Sequence, residues 1–99
     1  MIILNAIYKK PNDTEAFHTH YKDVHMPLVL KVPGLHKAEL EMVTATYMGD
    51  ADDHYMIARM YYKSKEDFKT AMRSEENKAT GADLMRFAKD KVTLFVTEI

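Results

Sequence analysis

The sequence predicts an α+β domain with one four-stranded antiparallel sheet and helices on one face of that sheet. Two observations lead to this prediction: the elements follow the order strand, helix, strand, strand, helix, strand, and the strands carry apolar residues on both faces. The chain has 99 residues, which is close to the commonest size of one folding unit. We therefore expect a single domain spanning residues 1–99.

Composition narrows the possible functions. A hydrophobic fraction of 46% excludes a disordered chain, and a net charge of -1 without a basic stretch argues against nucleic-acid binding. The chain has no cysteine, which excludes disulfides, iron–sulfur clusters and a thiol nucleophile. The apolar run at residues 1–4 is too short for a signal peptide or a membrane span, so we expect a cytoplasmic protein that binds no membrane.

The first strand and the first helix are predicted from apolar patterning and end signals. Residues 2–9 are apolar on both alternating faces, as in a strand that is covered on two sides. A helix is expected to follow, with Asn12 as its N-cap and Glu15 three residues later in a capping box. Pro27 removes a backbone donor inside this helix, which predicts a bend. The stripe expected to be buried consists of Phe17, His20, Tyr21, Val24 and Leu28.

Residues 35–47 and 54–63 are expected to form the second and third strands, joined by a polar turn at residues 49–53. Placing Glu41 opposite Arg59 pairs their charges and keeps each face of the sheet intact. The odd-numbered face is mixed in polarity, and we assign it to a second surface, with the Glu41–Arg59 pair in it. The even-numbered face is apolar and is assigned to the helices, with Ala38, Leu40, Met42, Met56, Ala58, Met60 and Tyr62.

The second half of the chain contains a further helix and a last strand. Ser64 suits the N-cap of this helix, whose inward face carries residues 68, 71 and 72. Residues 74–81 are interpreted as a polar connection, and Asp83 as the cap of a short helical turn that directs Phe87 to the core. Residues 92–98 are apolar in both parities and are expected to form the last strand.

This order of elements is the ferredoxin-like β-α-β-β-α-β arrangement. Its helices cover one face of the four-stranded antiparallel sheet, yet large apolar groups such as Ile3, Ile7 and Ile57 belong to the other face. A second copy of the chain that packs sheet to sheet would cover them. The sequence therefore predicts a symmetric homodimer.

The first helix resembles a family motif. The run FHTHYKDVHMPL at residues 17–28, followed by Pro-Gly-Leu at residues 33–35, resembles the aromatic–Tyr–His–x–Pro–Leu helix and the start of strand two in the EthD family. Residues 74–76, residues 82–83 and Phe87 resemble its second-half pattern of Ser-(Pro)-Glu, Ala-Asp and Phe. The chain departs from the family pattern in the second position of residues 74–76, where the family often has proline.

The resemblance implies a dimeric α+β barrel, in which two ferredoxin-like units pack their sheets together. The wider superfamily includes cofactor-free monooxygenases, muconolactone-type isomerases and haem-handling proteins. Membership of such a fold does not determine a reaction. The resemblance therefore predicts the fold and the dimer, and it leaves open whether His25 ligates a haem.

His25 and Tyr21 are the candidate catalytic residues. His25 lies about 80° from Phe17 around the predicted helix, beside the expected bend, and an imidazole titrates in the range that acid–base catalysis needs. The alternative is a structural histidine that bonds a backbone carbonyl and holds the bend. Tyr21 lies one turn earlier and would orient His25 or a ligand, although an aromatic residue at this spacing also suits the core.

Six further side chains are expected to line the same space as a substrate-binding pocket. Methionine adapts its shape to an apolar ligand, and aromatic residues supply contact area. Plain core packing is the alternative for most of them. These residues are Phe17, Met42, Met56, Met60, Tyr62 and Phe87.

The histidines do not predict a metal site. His18 and His20 are two positions apart and point about 160° away from each other on a helix. His20 and His25 are five apart, which is also a poor match to one ion. We expect neither a metal nor another cofactor.

Two functional hypotheses remain from the sequence. The first is a small cofactor-independent enzyme that carries out oxidation, isomerisation or proton transfer on an apolar oxygenated catabolite, with residues 74–83 as a cover that excludes water. The second is a non-catalytic ligand-binding or accessory dimer that supports an oxygenase system. A His25 whose two ring nitrogens both bond to protein would favour the second, and a His25 that faces an enclosed, partly polar cavity would favour the first.

Overall fold

The computed structural model describes residues 1–49 and 53–99. Its four strands form one antiparallel sheet in the order β2-β3-β1-β4. This order confirms the predicted ferredoxin-like α+β fold. The turn expected at residues 49–53 includes residues 50–52, which lie outside the described residues. The strands are β1 (Ile2–Lys9), β2 (Leu35–Met42), β3 (His54–Tyr62) and β4 (Val92–Glu98).

The helices lie on one face of this sheet. The first helical segment consists of α1 (Thr14–His20), a π-helical turn (Tyr21–His25) and α2 (Met26–Leu30). The second segment consists of α3 (Lys65–Arg73) and α4 (Glu75–Ala88). The apolar even-numbered residues of β1 and β3 pack beneath them and form half of the core cluster.

The predicted polar connection at residues 74–81 is wrong, because this stretch is the first half of α4. Ser74 caps α4: its hydroxyl oxygen accepts a hydrogen bond from the backbone N–H of Asn77 at 3.1 Å. Asp83 therefore lies inside a helix, and its predicted role as an N-cap is also wrong. The stretch is polar because much of its surface faces water, and its Glu, Lys and Ala residues are good helix formers.

The N-cap of α1 is Asp13 and not Asn12, so that prediction is wrong by one residue. The Oδ1 atom of Asp13 accepts a hydrogen bond from the backbone N–H of Ala16 at 3.0 Å. Asparagine and aspartate suit an N-cap about equally. Because both residues suit the position, the sequence alone does not determine which of the two caps the helix.

A π turn separates α1 from α2, one turn before Pro27. The backbone N–H of Met26 bonds the carbonyl of Tyr21, an i→i+5 bond that accommodates one extra residue. A step of four residues overshoots one α-helical turn by about 40°, and the wide turn offsets this drift. The buried stripe is therefore regular at spacings of four, with Phe17, Tyr21, His25 and Val29.

The predicted stripe is consequently wrong beyond Tyr21. Val24 is 42% exposed, and Leu28 is only partly buried. The prediction assumed 100° per residue throughout, and this assumption fails at the π turn. The same turn moves His25 from the flank of the helix to its buried face.

The even-numbered face of β3 packs against the helices as predicted, since Met56, Ala58 and Tyr62 are all buried. The prediction is wrong for Leu40 and Met42 on β2, which are each 46% exposed. β2 is an edge strand, and the deepest burial lies over the central strands. Burial is thus determined by the position of a strand in the sheet as well as by parity.

The predicted register of β2 and β3 is wrong by two residues. Glu39 lies opposite Arg59, and Glu41 lies opposite Ile57. Arg59 still forms an ion pair with Glu41, across the diagonal. A shift of two residues keeps every side chain on its own face, so neither alternation nor charge pairing distinguishes the two registers.

Candidate functional site

Two histidines and one aspartate form a compact group between the first helical segment and α4. The Nδ1 atom of His25 lies 3.0 Å from Oδ2 of Asp83, and Nε2 of His20 lies 2.9 Å from Oδ1. His25 and Asp83 are only 3% and 2% exposed. An ionised carboxylate only accepts hydrogen bonds, so both ring nitrogens donate to it. We call this group the His20–Asp83–His25 cluster.

The π turn is what brings the two histidines together. In a regular α-helix, residues five apart would point about 140° away from each other. The i→i+5 turn at Tyr21–His25 reduces this angle, and both rings reach Asp83. The spacing of His20 and His25 was judged only against a shared metal ion, and this shared contact with one side chain was not predicted. They share a carboxylate.

Aromatic rings hold the imidazole of His25 on two sides. The ring centroid of Phe87 lies 5.0 Å from that of His25 and 4.6 Å from that of His20. The ring of Tyr21 lies 5.1 Å from His25. The buried hydrogen bond to Asp83 and these contacts restrict the ring to one orientation.

Burial shifts the pKa of His25, Tyr8 and Tyr62 towards their neutral forms. Desolvation lowers the pKa of His25, and this effect outweighs the opposite influence of the Asp83 carboxylate. Burial, reinforced by the nearby Tyr21 and Asp83, raises the pKa of Tyr8. Burial alone raises the pKa of Tyr62 to about 12. Near neutral pH, His25 is therefore a neutral base and the two tyrosines keep their hydroxyl protons.

A cavity of about 190 Å³ lies next to the cluster, between the sheet and α4, and His25 is part of its wall. The sheet contributes Tyr8 and Tyr62 among mainly apolar neighbours, and α4 contributes Asn77 and Thr80. A few polar groups in an apolar wall are typical of a small-molecule site.

The structure distributes the predicted site residues over several places. Met60 and Tyr62 line the cavity beside His25. Tyr21 touches His25 but faces a shallow groove on the opposite side, together with Met42 and Met56. The remaining two, Phe17 and Phe87, line an outer groove with His20.

Sequence reasoning missed Asp83, His20 and Tyr8 as members of the site. Asp83 was taken for a cap because α4 was interpreted as a connection. If residues 74–88 are taken as a helix, Asp83 lies one turn before Phe87 and on the same inward face. An acidic residue on an inward helix face is the signal that could have identified it. His20 and His25 reach the same carboxylate only because of the π turn, and no residue pattern in the sequence predicts that turn.

Within residues 1–49 and 53–99, no three His, Cys, Asp or Glu side chains are arranged to hold a metal ion. None of the helices in the described parts of the chain has the length and apolar character needed to cross a membrane.

The fold and the site together define a small ferredoxin-like α+β domain with a buried His–Asp pair beside an apolar cavity. The family model described as "EthD domain" matches residues 9–91. The chain belongs to the EthD family.

Solved structures and a curated protein are similar over nearly the whole chain. An "ethyl tert-butyl ether d (ethd)" family protein from Bacillus halodurans is 38% identical, with a TM-score of 0.92 and coverage of 100% of this chain and 98% of the other. An uncharacterized 11.0 kDa protein from the thcB-thcC intergenic region of Rhodococcus erythropolis is 30% identical over 99% of this chain and 94% of its own. A dimeric ferredoxin-like protein of unknown function from Thermobifida fusca is 11% identical, with a TM-score of 0.72 over 99% and 90% of the two chains.

Proposed function

We propose that the protein is a small enzyme that moves a proton within a compact, apolar, oxygen-containing molecule bound in the cavity, with His25 as the base. One observation carries the proposal: the Nδ1 atom of His25 is held by buried Asp83 at 3.0 Å while the same ring lines the cavity. A base whose second nitrogen is fixed by a carboxylate is a recurring catalytic arrangement.

The free nitrogen of His25 is the atom that would meet a substrate. Because Asp83 accepts the hydrogen on Nδ1, the neutral ring carries its lone pair on Nε2. The hydrogen bond to Asp83 uses Nδ1, and the His25 ring is part of the cavity wall. Nε2 is therefore the nitrogen through which the ring would meet a ligand.

Proton transfer is the chemistry that these groups support. His25 takes a proton from a carbon next to a carbonyl: the C–H bond breaks, its electron pair moves through the carbon skeleton, and the carbonyl oxygen becomes an enolate oxygen. In a substrate with a carbon–carbon double bond next to that carbon, the enolate is conjugated. Return of the proton from Nε2 to the far end of that double bond then gives an isomer whose double bond is conjugated with the carbonyl. The hydroxyls of Tyr8 and Tyr62, which stay protonated, are donors for the negative oxygen. An oxidation is a variant of this proposal: the enolate carbon gives two electrons to dioxygen, a C–O bond forms, and the resulting peroxide takes the proton from the His25 ring to become a hydroperoxide.

Residues 77–84 of α4 close the cavity on the helix side, which supports the expected water-excluding role of this part of the chain. Tyr21 contacts the His25 ring and would position it rather than touch the substrate. The proposal includes a cytoplasmic location for the protein and a reaction that needs no cofactor.

The alternative function is a non-catalytic ligand-binding or accessory protein. It is favoured by the number of contacts at Asp83, which bonds two histidines and lies 4.0 Å from the guanidinium of Arg86. Such a carboxylate also serves as a structural link between the first helical segment and α4. In that case His25 would contribute to stability and not to a reaction.

We further propose that the protein forms a homodimer through the odd-numbered face of its sheet. Ile7, Ile57 and Tyr61 are only partly buried on this face, and Phe95 is 42% exposed. Similar proteins from Bacteroides fragilis and Thermobifida fusca are described as dimeric. Sheet-to-sheet packing of two copies would remove these apolar groups from water.

Exchange of carbon-bound hydrogen in D₂O tests the enzymatic proposal without knowledge of the natural substrate. The wild-type protein is incubated with simple cyclic ketones, and loss of the protons next to the carbonyl is followed by NMR. We expect catalysed exchange that falls by a factor of about 100 or more in His25→Ala. His36→Ala, which alters an exposed histidine, is the matched control and should exchange like the wild type.

Two outcomes would contradict the proposal. Equal exchange in the wild type and His25→Ala would remove His25 as the base. Ketones that bind in the cavity without any catalysed exchange would favour the accessory protein.

A further inference from the structure

The helix α4 presents one continuous face to the cavity, and a glycine lies in the middle of it. The lining residues of α4 are Asn77, Thr80, Gly81 and Leu84. Their spacing of i, i+3, i+4 and i+7 is that of residues on one side of an α-helix. A side chain at position 81 would therefore project into the cavity.

The fold gives no reason for a glycine at this position. Gly81 does not have a positive φ, and a Cβ atom built on it meets no heavy atom of the described residues within 4 Å. Gly34 is the contrasting case, because its φ is +83° and a Cβ there would lie 3.0 Å from the carbonyl oxygen of Asp67. Since a glycine inside a helix is less stable than alanine, Gly81 reduces the stability of α4 without any gain in packing.

The donors on the α4 wall are already occupied. The Thr80 hydroxyl donates to the backbone carbonyl of Glu76 at 2.9 Å, and the Asn77 amide points to the carbonyl of Met72 at 3.5 Å. Tyr8, Tyr62 and His25 are the polar residues in the rest of the cavity wall. A ligand would thus place its oxygen towards the sheet and its apolar part against Gly81.

We propose that Gly81 determines substrate size: the recess left by its missing side chain receives the apolar part of the ligand. The cavity of about 190 Å³ is somewhat larger than a cavity of about 150 Å³ that holds benzene in another protein. The substrate class is therefore a compact ring or branched alkyl group, slightly larger than benzene, that carries one carbonyl or hydroxyl oxygen. This inference rests on the proposed function, because it takes the cavity as the substrate site.

The test is Gly81→Ala, with cyclopentanone, cyclohexanone and cycloheptanone as probes of increasing ring size. Dissociation constants are measured by NMR titration, and the melting temperature by circular dichroism. The added methyl group should raise the melting temperature by a few degrees, because alanine favours the helix. It should weaken binding of cycloheptanone roughly tenfold or more and that of cyclopentanone much less.

The double variant Gly81→Ala with Ala82→Gly distinguishes two effects: the methyl group added to the cavity wall, and the stabilisation of the helix by the loss of a glycine. Ala82 is exposed and does not line the cavity, so this variant has the same number of glycines in α4 as the wild type. We expect it to melt near the wild-type temperature and to discriminate against cycloheptanone as strongly as Gly81→Ala does.

The outcomes separate this inference from the function on which it rests. If the wild type binds the ketones and Gly81→Ala weakens all three equally, or none of them, the role of Gly81 is overturned and the cavity site stands. If Gly81→Ala lowers the melting temperature, the backbone requires the glycine and the inference is also overturned. If the wild type binds no ketone, the cavity as a substrate site and the role of Gly81 fall together.

Discussion

The Nδ1 atom of His25 lies 3.0 Å from the Oδ2 atom of Asp83, although the two residues are 58 positions apart in the chain. The contact joins the π turn to α4 and lies at the wall of the cavity. It determines which nitrogen of His25 carries the hydrogen. Removal of the buried carboxylate should therefore change both the tautomer of His25 and the stability of the protein.

Replacing Asp83 by asparagine should change the tautomer of His25. In the wild type, the carboxylate selects the neutral ring with its hydrogen on Nδ1. An amide donates as well as accepts, so Asp83→Asn should populate the other tautomer, which ¹⁵N chemical shifts of the ring detect. The free energy of unfolding should fall by about 1 to 3 kcal/mol, because a charged partner of two histidines is lost.

Asp23→Asn is the matched control for this prediction. Asp23 is an exposed aspartate of the π turn, and its replacement should leave both the ring spectrum and the stability unchanged. A His25 spectrum that is identical in the wild type and Asp83→Asn would argue that the carboxylate does not select the tautomer.

The stability of the protein should fall as the pH drops below about 6.5. Burial lowers the pKa of His25, so in that range the unfolded chain binds a proton that the folded chain does not. The sign follows directly: the contribution is fully present above the unfolded pKa and is lost as the pH falls towards the lowered folded pKa. Denaturant unfolding of the wild type and His25→Asn should show a difference in stability that narrows as the pH falls below about 6.5.

His36→Asn provides the reference for this pH series, because His36 is exposed. Its profile should run parallel to that of the wild type. A constant difference between the wild type and His25→Asn over the whole range would contradict the lowered pKa.

A lysine at position 57 should dissociate the proposed dimer. Ile57 lies on the odd-numbered face of β3, and Ile57→Lys would place an unpaired charge between two packed sheets. Analytical ultracentrifugation should show a monomer for this variant and a dimer for the wild type. Val24→Lys, on the exposed surface of the π turn, should remain dimeric, and a dimeric Ile57→Lys would remove this face as the interface.

The two residues before α1 should differ in their contribution to stability. Asp13→Ala removes the side chain that bonds the N–H of Ala16 and should cost about 1 kcal/mol, which lowers the melting temperature by several degrees. Asn12→Ala should change stability by less than about 0.5 kcal/mol. Thermal unfolding of both variants measures the difference, and equal losses would show that the two residues share the cap.

The parts of the fold that were predictable depend on local periodicity. The alternation of Met56, Ala58, Met60 and Tyr62 predicted which face of β3 packs against the helices, because the period of two is a property of every strand. The order of the six elements predicted the sheet topology, because it is the order of the ferredoxin-like arrangement. By contrast, the register of Glu39 against Arg59 was not predictable, since a shift of two residues leaves the pattern of faces unchanged.

The candidate site was only half predictable. His25 was found as an imidazole beside a proline in a helix, and Met60 and Tyr62 were placed on the correct face. Asp83 was not found, because its significance arises from a contact between distant segments.

The sequence by itself determined the α+β class, the order of the elements, the face of β3 that packs inward and the family. The first three follow from side-chain patterns that repeat with the period of a helix or a strand, whereas the family was indicated by the resemblance of residues 17–28 to a family motif. Only the tertiary structure decided that a π turn carries His25 inward, that Asp83 holds it, and that Gly81 lines the cavity. The reason is physical: these features depend on how elements pack against one another, and a local pattern contains no information about which distant residue will meet it.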